Sequence, residues 1–152
     1  MSQKTALNQL SELLDRGDEA VTTLANASAF LFGLLENVNW VGFYLLNGET
    51  LYLGPFQGKP ACTRIAAGNG VCGTAIQQNR TQRVDNVHEF SGHIACDSAS
   101  NSELVIVLHG EYGEPIGVLD IDSPLFARFS AEDEAFLTEA AEIVSRAVAQ
   151  KL

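Results

Sequence analysis

The chain has 152 residues, 46% hydrophobic and 18% charged, a composition typical of one packed domain and not of a disordered chain. Its formal net charge is −10, with only nine lysines and arginines, so we expect no surface for nucleic acid or for an anionic membrane. No apolar run reaches membrane-spanning length and the first residues lack a secretion signal. We therefore expect a soluble, cytoplasmic protein.

The first half of the chain predicts two helices followed by a hairpin. Leucines at helical spacing predict a helix over 3–16, and a more apolar helix is expected over 19–37, after Gly17. The stretch NWVGFYLLNGETLYLGPF, residues 39–56, has aromatic and β-branched residues on both sides of an NGE turn, which predicts a β-hairpin. The segment ACTRIA, residues 61–66, predicts a further strand.

The second half predicts a short helix over 71–79 and a short strand over 81–85. A polar loop over 86–101 follows, and loops of this length are often functional. Residues 102–123 predict a second hairpin, and the last helix is expected to begin at Ser130 in an approximate capping box.

The predicted order is therefore α-α-β-β-β-α-β-β-β-α. Two hairpins joined by a mixed segment favour an α+β fold with a central antiparallel sheet, and the N- and C-terminal helices are expected to pack on one face of it. No repeat or linker divides the chain, so 1–152 is expected to form one domain. The buried stripe of the last helix is predicted to be Leu137, Ala140, Ala141, Val144, Ala147 and Val148.

The segment GNGVCG, residues 68–73, matches the G-x-G-x-x-G pattern of dinucleotide-binding loops. That fingerprint needs a long helix after the glycines within a βαβ unit. Here the helix has room for only about two turns before Arg80. We favour glycines of a tight loop with close helix packing, and a nucleotide loop is the weaker alternative.

The segment HEFSGH, residues 88–93, is not the H-E-x-x-H motif of zinc proteases, because its two histidines are one residue too far apart. A metal site built from His88, His93 and Cys96 is an alternative to histidines that bond the backbone. The cysteines include no C-x-x-C pair of the kind that structural zinc sites use, and we expect no metal.

The segment LDID places two carboxylates on one face of a predicted strand. Asp120 and Asp122 are two residues apart, so they point to the same side, while Leu119 and Ile121 point to the core. Glu103 on the neighbouring strand can join them. Clustered carboxylates shift one another's pKa values and mark sites for cations or protons. A solvated strand face is the alternative.

Aromatic and thiol side chains are further candidates. Trp40 and Tyr44 are four residues apart on the first predicted strand and share a face, either in the core or as walls of a pocket. Cys72 is expected at a helix N-terminus, where the dipole lowers a thiol pKa. Cys96 is expected to be accessible in the polar loop, and Cys62 to lie in a strand-like segment. A buried, inert thiol is the alternative for each.

Five segments together resemble free methionine-(R)-sulfoxide reductases, which are built on a GAF domain. They are NWVGFY, LGPFQGKPACTRI, GNGVCGTA, NVHEFSGHIACDSASNSELVIVL and GVLDIDSP, and the similarity runs from about residue 40 to residue 136. The resemblance implies a GAF fold, reduction of the free amino acid methionine-R-sulfoxide to methionine, and thioredoxin as the reductant. It implies no metal or organic cofactor and suggests a homodimer.

The resemblance also implies roles for the cysteines, since all three positions of the family are filled. Cys96 matches the position favoured for the attacking thiolate, and whether Cys96 or Cys72 attacks first stays open. Cys62 matches a resolving cysteine, whose disulfide with the attacking residue thioredoxin reduces. Cys72 matches a third cysteine, which is an auxiliary or an alternative partner.

The pocket is assigned by the same resemblance. Glu103, Asp120 and Asp122 match its carboxylates, and Trp40 and Tyr44 match positions that line it. A sulfoxide oxygen leaves only when it is protonated, so an acid must donate to it while a thiolate attacks sulfur. We assign this acid to Glu103 or Asp122.

Two other functions stay open from the sequence. GAF domains often serve as sensors that bind cyclic nucleotides or other small molecules. Three thiols also fit a generic redox switch, which would form a disulfide with peroxide but show no preference between sulfoxide epimers.

Overall fold

The computed structural model describes residues 1–92 and 99–152. Its elements follow the predicted order, with one addition, a short 3₁₀ helix at Val87–Glu89. The helices are α1 (Gln3–Leu14), α2 (Ala20–Leu34), α3 (Gly70–Gln78) and α4 (Ala131–Val148). The strands are β1 (Trp40–Asn47), β2 (Thr50–Gln57), β3 (Arg64–Ala66), β4 (Gln82–Val84), β5 (Ser102–His109) and β6 (Pro115–Ser123).

The strands form one antiparallel sheet with the order β3-β2-β1-β6-β5-β4. Both predicted hairpins are confirmed, β1 with β2 and β5 with β6. Strands β1 and β6 then pair with each other and join the two hairpins at the centre of the sheet. The expected central antiparallel sheet is confirmed.

The terminal helices α1, α2 and α4 pack on one face of the sheet, as expected. Leu119 and Ile121 of β6 belong to this core, which confirms that the aspartates between and after them point the other way. Helix α4 begins with a complete capping box, in which Ser130 N donates to Asp133 Oδ2 at 2.9 Å and Asp133 N to Ser130 Oγ at 3.0 Å.

Helix α3 packs against the opposite face of the sheet. A second apolar cluster lies there and includes Trp40, Tyr44, Cys72, Val105 and Val118. Most of the candidate site residues therefore share the face that α3 covers.

Two predicted boundaries are wrong. The strand expected over 61–66 begins only at Arg64, because the carbonyl of Cys62 accepts from the Tyr44 hydroxyl at 2.9 Å instead of joining the ladder. Cys62 is thus a loop residue. Helix α2 ends at Leu34, since Leu35 is extended and Asn37 is left-handed with φ 57°.

The loop expected over 86–101 has some local structure in its described part. Asn86 caps the 3₁₀ helix by accepting from His88 N at 3.0 Å. His93 and Cys96 lie outside the described residues. None of the helices described is both long and apolar enough to cross a membrane.

Candidate active site

Strand register gathers three carboxylates on the α3 face, near the end of β6. Asp122 pairs with Trp40 on one side and with Glu103 on the other, and Asp120 lies two residues earlier on the same strand. Asp120 is 5% exposed, and Glu103 and Asp122 are each 8% exposed. The solvated strand face is therefore wrong: these carboxylates are buried together.

Burial beside like charges favours the protonated form of Asp120. The pKa of Asp120 is raised well above its ordinary value, first by burial and then by the charges of Asp122 and Glu103. Within the described part of the chain, Asp120 Oδ1 is buried and has no hydrogen-bond partner. A buried acceptor without a partner costs stability, so this oxygen is suited to a cationic or protonated ligand.

Cys72 lies beside the carboxylates in the first turn of α3. Its Sγ is 3.8 Å from Glu103 Oε2, to which the thiol donates. The predicted helix N-terminus is confirmed, but the predicted lowering of its pKa is wrong. Burial, with the charges of Asp120 and Glu103, raises the pKa of Cys72, because desolvation and nearby negative charge outweigh the helix dipole.

One described group has donor atoms close enough to ligate a cation. The thiol of Cys72 and the carboxylates of Glu103 and Asp120 offer ligand atoms within 4.8 Å of one another. The alternative metal site with His88 does not gain support, since His88 Nε2 contacts Asn101 Oδ1 at 2.8 Å. The other two members of that alternative lie outside the described residues.

An aromatic stack forms one side of the cluster. Trp40 is 2% exposed and stacks on Phe56 and Tyr44, with ring centroids 5.1 and 5.9 Å away. Its Nε1 donates to Lys59 O at 3.1 Å, and the hydroxyl of Tyr44 donates to Cys62 O. Trp40 and Tyr44 therefore share a face, as predicted, and both fix the loop that carries Cys62.

Two contributors to this wall escaped the sequence reasoning. Phe56 lies opposite Gly42 in the β1–β2 register. A Cβ atom at Gly42 would lie 2.3 Å from Phe56 Cβ and 2.7 Å from Trp40 Cη2. Only glycine permits this approach. A glycine within the apolar strand segment WVGFY was the available signal for close packing.

The GNGVCG segment is a packing turn, as favoured over a nucleotide loop. A Cβ atom at Gly73 would lie 2.5 Å from Ala66 O, so the helix approaches the chain before it more closely than a side chain allows. Gly68 N donates to Gly73 O at 2.8 Å, which ties the loop to the helix it precedes. These glycines therefore allow α3 to place Cys72 against the sheet.

The described cysteines differ in state. Cys62 is disulfide-bonded and half-buried. Cys72 is a free, buried thiol. The third cysteine, Cys96, is outside the described residues.

The fold and the buried site together define a GAF domain, and the GAF domain model matches residues 9–148. The chain is 58% identical over 119 residues to the free methionine-R-sulfoxide reductase of Escherichia coli, which covers 78% of this chain and 72% of that protein. The chain belongs to the family of free methionine-R-sulfoxide reductases.

Solved structures agree with this assignment. The fRMsr of Staphylococcus aureus in its reduced form superposes with a TM-score of 0.93 at 44% identity, covering 97% of this chain and 96% of that one. The free methionine-R-sulfoxide reductase of Neisseria meningitidis, in complex with its substrate, gives a TM-score of 0.92 at 40% identity, covering 98% and 89%.

Proposed function

We propose that this protein reduces free methionine-R-sulfoxide to methionine by thiol chemistry. The observation that carries the proposal is the buried cluster of Glu103, Asp120 and Asp122 beside an aromatic wall and a thiol. A site that both retains a proton and has an unpartnered carboxylate oxygen suits a substrate with an ammonium group and a basic sulfoxide oxygen. The names and substrate complex of its relatives point to the same substrate.

Three parts of the substrate have complementary groups in the site. The Oδ1 atom of Asp120 accepts from the substrate ammonium, and Trp40 forms the apolar wall for the S-methyl group, with Tyr44 behind it. Because Asp120 binds a free ammonium, a methionine sulfoxide within a peptide, whose nitrogen is an uncharged amide, is excluded. Glu103 or Asp122 donates a proton to the sulfoxide oxygen. The raised pKa of Asp120 favours a cluster that holds a proton for this step.

The covalent steps use the cysteine sulfur atoms of the protein. The thiolate of Cys96 attacks the substrate sulfur, the oxygen is transferred, methionine leaves, and Cys96 becomes a sulfenic acid. Cys62 then attacks the sulfenic sulfur, which releases water and forms a disulfide. Thioredoxin reduces this disulfide with two electrons and two protons. The disulfide-bonded state of Cys62 supports its role as the resolving residue.

Cys72 is the auxiliary thiol in this scheme. Its buried Sγ donates to Glu103, which favours the thiol over the nucleophilic thiolate. We further propose that residues 1–152 act as one GAF domain in a cytoplasmic homodimer, with no metal or organic cofactor.

A turnover assay with dithiothreitol tests the proposal. The protein is incubated separately with the free R epimer, the free S epimer and N-acetylmethionine-R-sulfoxide, and the reduced product is quantified by chromatography. We expect product from the free R epimer alone. Equal conversion of both epimers, or conversion of the N-acetylated compound, would contradict the proposal. Tight nucleotide binding without any turnover would favour the sensor function.

A further inference from the structure

The turn that follows β6 exposes two large apolar side chains. It spans 123–130, SPLFARFS, and is called the Leu125–Phe126 turn below. Leu125 is 46% exposed and Phe126 is 58% exposed. A leucine and a phenylalanine kept side by side in water form an apolar surface of the kind that partner proteins bury.

The turn is held in one conformation rather than left loose. Ser102 Oγ donates to Leu125 O at 2.6 Å, and Ala127 N donates to Asp85 O at 2.9 Å. Ala127 is left-handed, with φ 50°, although it is not glycine. Such backbone strain persists where the surrounding structure imposes it, and it is concentrated at functional positions. The exposure of the two side chains is therefore built into the fold.

This turn lies at the same end of the sheet as the loop with the disulfide. The end of β6 pairs with the start of β1, and Val41 of β1 pairs with Gln57, the last residue of β2. The chain continues from Gln57 directly into the loop that contains Cys62. Leu125 bonds to Ser102 of β5 and Ala127 bonds to Asp85 after β4, so the turn crosses β5 towards β4. At about 4.8 Å per strand it lies about 14–19 Å from β2. One partner can cover both features.

A protein that reduces this disulfide must dock beside it. A thiolate of the reductant must reach a sulfur of the disulfide in line, and Cys62 is half-buried. Transient redox interfaces bury less than about 1,200 Å² in total. A footprint of about 600 Å² on this protein is about 28 Å across, which is wide enough to include both the Cys62 loop and the Leu125–Phe126 turn.

We propose that the Leu125–Phe126 turn is the docking surface for the dithiol protein that reduces the Cys62 disulfide. The inference rests on the proposed function, in which this disulfide forms once per turnover. One thiolate of the partner attacks a disulfide sulfur and forms a mixed disulfide, and the displaced cysteine takes a proton. The partner's second thiol then attacks the mixed disulfide, so the partner is oxidised as both cysteines of this protein are reduced.

The test measures disulfide reduction directly, with no sulfoxide present. The disulfide form is mixed with reduced thioredoxin or, separately, with dithiothreitol, and the thiols of this protein alone are counted over time by alkylation and mass spectrometry. The variant Leu125→Ala/Phe126→Ala changes only exposed side chains. The control is Tyr112→Ala, because Tyr112 is 89% exposed in the β5–β6 turn at the opposite end of the sheet.

We expect the second-order rate constant with thioredoxin to fall about tenfold in the double variant, as for the loss of interface anchors. The double variant should react with dithiothreitol at the rate of the unchanged protein. Tyr112→Ala should match the unchanged protein with both thioredoxin and dithiothreitol. An unchanged thioredoxin rate in the double variant would overturn the inference, and so would an equal fall with dithiothreitol. Since no sulfoxide is present, failure of the proposed reductase activity would appear only in the turnover assay.

Discussion

The Sγ atom of Cys72 lies 3.8 Å from Oε2 of Glu103, and both residues are buried on the α3 face of the sheet. This contact fixes the protonation of the thiol. A thiolate there would be desolvated and would face carboxylates, and the pKa of Cys72 is accordingly raised. Helix N-termini commonly activate cysteines, yet here the same position yields a hydrogen-bond donor to the carboxylate cluster.

We predict that Cys72 reacts slowly with iodoacetamide in the reduced, folded protein at pH 7. The thiolate is the reactive form, and burial disfavours it. Labelling followed by mass mapping should show Cys62 modified well before Cys72, and unfolding in urea should equalise the two. Faster labelling of Cys72 than of Cys62 in the folded protein would show that the thiol is activated.

We predict that Asp120→Asn stabilises the protein at pH 8 but not at pH 4. Because the pKa of Asp120 is raised from 3.8, the folded state binds more protons than the unfolded state above that pH. The Asp120 carboxyl therefore stabilises the folded state less as the pH rises. The uncharged amide of Asp120→Asn does not lose a proton, so the variant avoids this loss of stability. The expected gain at pH 8 is on the order of 1 kcal/mol, or about 2–4 °C in Tm.

Thermal unfolding of Asp120→Asn at pH 8 and at pH 4 tests whether the variant is stabilised only at the higher pH. The matched control is Glu139→Gln, which removes one exposed carboxylate from α4. It should change Tm little at either pH. A gain in Tm for Asp120→Asn that is larger at pH 4 than at pH 8 would contradict the prediction.

We predict that one of the isosteric variants Glu103→Gln and Asp122→Asn loses general-acid catalysis. Removing a positioned proton donor lowers kcat by about 10²–10⁴-fold. The variant that lacks the acid should also lose the pH dependence of kcat on the alkaline side, while the other keeps it. Wild-type kcat in both variants would remove these two carboxylates from the mechanism.

We predict that Gly42→Ala raises the KM for the sulfoxide and lowers the free energy of unfolding by about 1–3 kcal/mol. The new methyl group would meet Phe56 and Trp40 Cη2, so the aromatic wall must shift. Trp40 is the only tryptophan, and its fluorescence should report the shift. Gly33→Ala is the control, because a Cβ atom there meets nothing within 4 Å in helix α2. An unchanged KM in Gly42→Ala would show that the aromatic wall does not contribute to substrate binding.

The period-2 pattern of the strands was sufficient to predict which residues share a face. Asp120 and Asp122 lie on one side of β6 and Leu119 and Ile121 on the other, as two-residue alternation requires. The pairing of Glu103 with Asp122 depends on strand register, which the sequence only suggested through the hairpin turn.

Effects that depend on tertiary packing could not be predicted. The raised pKa of Cys72 arises first from burial and then from carboxylates of β5 and β6, more than thirty residues away, so the local helix signal pointed in the wrong direction. Cys62 was assigned to a strand because its neighbours favour one, whereas its carbonyl bonds to Tyr44 eighteen residues earlier. Local propensity does not report such distant partners.

Methionine release in a single turnover tests the central claim most directly. The fully reduced protein, freed of all reductant, is mixed with excess free methionine-R-sulfoxide, and methionine is counted per chain. We predict about one methionine per chain for the unchanged protein and for Cys62→Ser, since the first attack needs only one thiol and the oxidised thiol cannot react again. Cys96→Ser should release none. Absence of methionine from the folded, unchanged protein, or full release by Cys96→Ser, would contradict the account.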